Sequence, residues 1–180
     1  MGIFKNRRLS PGDLSLSFGA IAFPIHVWAI INILAIFPAW LLRLTIWELA
    51  GAISYPLVDA LLESCILWIG LVGLSCVLPK KWLADKFVTL SSALVWLLAA
   101  WAALVQFIYV QILQWEPQQV LPGLLLVAIS FGLVTWLVQR YGRLEGLIRR
   151  LAQGLAVLTY FYLIFDLLGL AVVIIRNLKG

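Results

Sequence analysis

The sequence predicts an all-α fold, a polytopic transmembrane helix bundle, and three observations carry that prediction. Apolar residues make up 64% of the 180 and charged residues 12%, about half the ~25% charged content of a soluble domain. Five apolar runs approach or exceed the ~20 residues that a membrane-spanning helix needs. The basic residues fall in short clusters beside those runs, where the positive-inside rule expects them. With a mean hydropathy of +1.06, residues 1–180 read as one integral membrane domain.

Residues 1–13 form a cytoplasmic N-terminal segment carrying Lys5, Arg7 and Arg8. The first span covers 17–37, holds His26 and Asn32, and is kinked at Pro24. It is full length and followed by further spans, unlike the short apolar region of a cleavable signal. Residues 38–56 lie between two prolines, Pro38 and Pro56. Leu42, Ile46, Leu49 and Ile53 form one helical stripe there, with Arg43, Trp47, Gly51 and Ser54 roughly opposite. Trp40 and Trp47 suit the headgroup belt, so this stretch reads as an interfacial helix on the outer surface, with a membrane-entering hairpin arm or an outward extension of the second span as the alternatives.

The second span, 57–78, opens with Asp59 and Glu63 one turn apart on one face, running down toward Gly70 and Gly73. Cys65 and Cys76 in it are separated by about 16 Å along a helix, too far for a disulfide. The third span, 87–114, is long enough to tilt or project. Ser92, Ala99, Ala102, Gln106 and Tyr109 give it one small, polar face that another helix can approach closely. The fourth span is 120–139. The fifth, 151–175, aligns Thr159, Tyr162 and Asp166 on one face.

Charge sets the orientation. With the N-terminus cytoplasmic, five spans place Lys5, Arg7, Arg8, Lys80, Lys81, Lys86, Arg140, Arg143, Arg149 and Arg150 inside, and only Arg43, Arg176 and Lys179 outside with the C-terminus. A sixth crossing by 38–56 would move the loops at 80–86 and 140–150 outside, against the rule. The same imbalance opposes insertion in both orientations, and the expected location is the plasma (inner) membrane.

Asn32, Glu63 and Asp166 each fall about 22 Å above the inner boundary of a hydrocarbon layer roughly 30 Å thick. Gln106 lies somewhat higher. The candidate site is therefore an outer-half intramembrane polar layer of Asn32, Asp59, Glu63, Gln106, Tyr162 and Asp166, with His26 and Arg43 as lesser members. An ionisable residue inside a membrane points to function by default. Structural roles are open to the same residues. Glu63 can reach the headgroups or pair with Arg43. Asp166 can be a structural clasp to Gln106, Tyr162 or Asn32. A lone histidine in an apolar run is usually packed or bonded to the backbone. The tryptophans read mostly as belt and lipid contacts.

The chain lacks H-E-x-x-H, G-x-S-x-G and a Walker A loop. One histidine cannot supply bis-histidine haem ligation. No metal or cofactor is expected, and the net charge of +5 belongs to membrane loops rather than to nucleic-acid binding. Besides the lipid bilayer, the expected partners are other membrane protein subunits. The leading function is a non-catalytic membrane subunit or scaffold that assembles with a larger membrane partner. The second is a small transporter or substrate-binding component using the polar layer, and the third is an enzyme acting on lipid.

Overall fold

The structure is a computed structural model that describes residues 10–77, 84–112 and 117–179. Every regular element among them is helical: α1 Pro11–Leu41, α2 Ile46–Val77, a 3₁₀ turn Ala84–Lys86, α3 Phe87–Phe107, α4 Tyr109–Ile112, α5 Pro117–Arg140 and α6 Gly142–Lys179. Five of these helices are long and apolar enough to cross a membrane. The chain is thus an all-helical protein with five candidate membrane spans. Lys5, Arg7, Arg8, Lys80 and Lys81, which weigh in the orientation argument, lie outside the described residues.

The first helix starts earlier than its apolar run. Ser10 caps it, its Oγ accepting from the Asp13 backbone N–H at 3.0 Å, and Pro11 occupies the first turn, where its missing N–H is no loss. Residues 11–13 therefore belong to the first turn of α1. Pro24 and Pro38 both lie inside α1 without ending it.

A separate interfacial helix over 38–56 is not formed. Residues 38–41 complete α1, a short turn follows, and α2 begins at Ile46. Local chemistry sets that start. In Thr45-Ile-Trp-Glu48, the Glu48 carboxylate accepts from the Thr45 N–H and hydroxyl, both at 2.8 Å, and Thr45 Oγ1 accepts from the Glu48 N–H at 3.4 Å. This capping box satisfies N–H groups that a new helix leaves unpaired. Pro56 then falls inside α2, where it removes one backbone bond but leaves the helix continuous.

The third span also differs from its apolar run. The helix ends at Phe107, the chain turns at Ile108, and α4 is a separate short helix. At the other end of the chain, α6 starts at Gly142, so Arg143, Arg149 and Arg150 lie in its first turns rather than in a loop.

α1 is the central helix and packs against α2, α6 and α3, while α5 packs on α3 and α6. Leu14, Leu71, Val72, Val134 and Ile148 surround a buried group of Phe87, Leu90, Ala93 and Val138. A second group, Ala20, Val88 and Ala152, joins α1, α3 and α6 through small side chains. Gly19 brings α1 onto α6: a Cβ there would stand 2.5 Å from Thr159 Oγ1 and 3.1 Å from Ala156 Cα. Small residues at such crossings allow the close contact that drives helix association in lipid.

Polar groups in the bundle are satisfied mostly within helices. The buried hydroxyls of Ser54, Ser64, Ser91 and Ser92 each donate to a carbonyl one turn back. Tryptophans bridge helices: Trp68 Nε1 donates to Ser17 Oγ at 3.1 Å, Trp96 Nε1 to the Ala20 carbonyl at 2.8 Å, and Trp101 Nε1 to Ser130 Oγ at 2.9 Å. These three tie helix to helix through half-buried indoles. At one end, Arg149 pairs with Asp13 at 2.9 Å and Lys86 with Glu145 at 2.8 Å. At the other, Arg176 reaches the Trp47 carbonyl at 3.4 Å.

Candidate functional site

The α6 face toward α1 and α2 reads Ala152, Ala156, Thr159, Tyr162, Asp166 and Gly169. Opposite it, α1 presents Gly19, Ala22 and His26. The small residues let the two helices touch. Asp166 and His26 then meet across the seam, with Nε2 3.0 Å from Oδ2 and each side chain 1% exposed. Tyr162, one turn before Asp166, lays its ring on the imidazole at a centroid distance of 4.8 Å and an interplanar angle of 15°. His26 Nδ1 lies 2.9 Å from the Ala22 carbonyl.

These partners constrain the protons. A carbonyl only accepts, so Nδ1 must carry hydrogen. One further proton then lies between Nε2 and Oδ2. It sits either on the ring, giving imidazolium and carboxylate, or on the acid, giving two neutral groups. Both arrangements leave the pair with no net charge. Asp166 Oδ1 and Thr159 Oγ1 are buried with no hydrogen-bond partner.

The other predicted site residues lie elsewhere. Asn32, Arg43, Asp59, Glu63 and Gln106 are all exposed on the surface of the chain. Glu63 and Gln106 share an open groove of about 230 Å³ with Pro24, Trp28, Ala99 and Ala102, at the junction of α1, α2 and α3. Asp59 lies one turn above Glu63. The polar layer thus divides into an enclosed pair and an outward-facing acidic groove. No group of three or more His, Cys, Asp or Glu among the described residues is placed to hold a metal ion.

No family model, curated protein or solved structure matches the chain.

Asp166 finds its partner in His26 rather than in Gln106, Tyr162 or Asn32. The apolar-run boundaries hide this, because they set His26 well below Asp166. Counted from the Asp13–Arg149 contact, the two lie about 20 Å and about 26 Å along their helices, close enough for side chains to meet. The usable signals were Ser10-Pro11, which starts α1 early, and the basic first turns of α6.

Proposed function

We propose that the chain is a non-catalytic integral membrane subunit or scaffold that assembles with a larger membrane partner. The observation that supports this is the division of its polar groups. The acid–base pair in the core is enclosed and lines none of the described grooves, whereas Asp59, Glu63 and Gln106 stand on the outer face of the bundle. A carrier needs the reverse, polar groups along an inner path. A carboxyl left against lipid costs roughly 2.5–3.5 kcal/mol at mid-membrane, so an outward acid calls for a covering molecule.

The orientation proposed with this reading is N-terminus cytoplasmic and C-terminus outside, in the plasma (inner) membrane, on the distribution of basic residues. The turn after α1, with Trp40 and Trp47 near it, then lies at the outer surface. The Glu63–Gln106 groove supports a second reading, a small transporter or substrate-binding component that takes its ligand from the side.

Native electrophoresis of gently solubilised membranes tests the choice. The subunit reading expects migration well above the 20.1 kDa chain and release of the chain by Glu63→Leu. A stable monomer that carries a Glu63-dependent flux in sealed vesicles would reject it for the second reading.

A further inference from the structure

Resting on the assembly reading, we propose that the Glu63–Gln106 groove docks a transmembrane helix of a different chain, one bearing a lysine or arginine in the outer third of the membrane. Glu63 lies about 21 Å above the Val77 end of α2, so it sits about 9 Å beneath the outer boundary of a ~30 Å hydrocarbon layer. Neither it nor Asp59 has a hydrogen-bond or ion-pair partner among the described residues. The complementary group is a cation at that depth.

This chain cannot supply it from the described residues. Arg43 lies beyond the start of α2, about 26 Å along the helix from Glu63. Arg176 reaches the level of Gly51 and Trp47, about 18 Å above Glu63. Lys86, Arg140, Arg143, Arg149 and Arg150 cluster at the opposite end of the bundle. A second copy in the same orientation repeats these levels and brings no cation to the groove.

A lipid amine is also displaced in depth, since it sits in the headgroup layer, above Glu63. A helix fits better. Ala99, Ala102 and Ala103 on the α3 wall allow close backbone approach. The incoming cation would then meet the Glu63 carboxylate, with Gln106 offering its carbonyl and Asp59 adding negative charge one turn above.

The test uses the full chain reconstituted in phosphatidylcholine vesicles, with association read by energy transfer to synthetic Leu/Ala transmembrane helices. One helix carries a single Lys about 9 Å inside its outer end, matching the Glu63 depth. A second has Leu at that position, and a third has the Lys near its inner end. The outer-Lys helix should associate about tenfold more tightly than either control, the scale of an interhelical hydrogen bond in lipid. Glu63→Gln, which keeps size and helix propensity, should reduce that preference to about threefold or less. Ala103→Leu, which fills the groove, should weaken all three.

Equal association of the three helices with the wild-type chain overturns the proposal. A Lys preference that survives Glu63→Gln does so too. If phosphatidylethanolamine abolishes the preference, the occupant is a lipid amine instead. If Glu63-dependent transfer arises between two labelled copies of this chain, the groove is a self-contact. A chain that runs as a large native complex yet shows no Lys preference keeps the assembly reading and rejects only this groove.

Discussion

His26 and Asp166 hold one proton between two helices, and each removes the charge problem of the other. Removing either alone leaves a buried polar group with no partner, a loss of about 3–5 kcal/mol for a broken buried pair. His26→Leu and Asp166→Leu should each lower the thermal or denaturant midpoint sharply in detergent. The double variant should recover most of the loss, because two apolar groups of similar volume pack without leaving a charge behind. Asp166→Asn should stay close to wild type in stability and assembly, since its amide N–H can donate to Nε2 of a neutral ring. If the double variant is as unstable as the two single ones combined, the pair is not a mutual clasp. In the transport reading, Asp166→Asn folds normally yet loses substrate or proton coupling, so flux separates the two roles.

Among the elements, the α1–α6 seam depends most on a single position. Any side chain at Gly19 must displace Thr159 and the Ala156 backbone. Gly19→Leu should separate the two helices, cost about 1–3 kcal/mol as an overpacked contact, and loosen the His26–Asp166 bond and the Tyr162 stack. Gly19→Ala should do so less. Engineered-cysteine crosslinking between α1 and α6 measures the separation, and unchanged crosslinking in Gly19→Leu would contradict the close approach. The ends of the elements were less legible than their existence. Hydropathy averaged over some twenty residues reports a crossing but cannot find its start. Caps can, and Thr45-x-x-Glu48 and Ser10-Pro11 were both present in the sequence. The prolines at 38 and 56 suggest boundaries, yet both lie inside helices, because a proline in a long apolar helix removes a single backbone bond that packing can offset.

For the whole molecule, the class was legible because apolar content exceeds what a soluble surface carries. The membership of the polar layer was not, because depth along a helix gives height and says little about direction. Apolar-run boundaries give Glu63 and Asp166 one height, but Gly169 packs against Ser54, which sets Asp166 near the level of Leu57, about 9 Å above Glu63, and one acid faces out while the other faces in. The proposed orientation has its own check. In a background lacking Cys65 and Cys76, Gln118→Cys in sealed vesicles should react only with reagent supplied from outside. Arg143→Cys should react only from the cytoplasmic side. The opposite pattern would invert the bundle, and labelling of both positions from one side would remove a crossing.

The enclosed acid–base pair has an electrical consequence. Moving one elementary charge through a membrane potential of 100 mV involves about 2.3 kcal/mol. The His26–Asp166 pair carries no net charge in either proton arrangement, so transferring its proton between the two side chains shifts charge by only a hydrogen-bond length. Voltage therefore does almost no work on the core of this chain. The charged side chains described at the two ends of the bundle lie near its margins, where the field has largely fallen away. Within this chain, the acids left to feel that field are Glu63 in the outward groove and Asp59 one turn above it, not the enclosed pair.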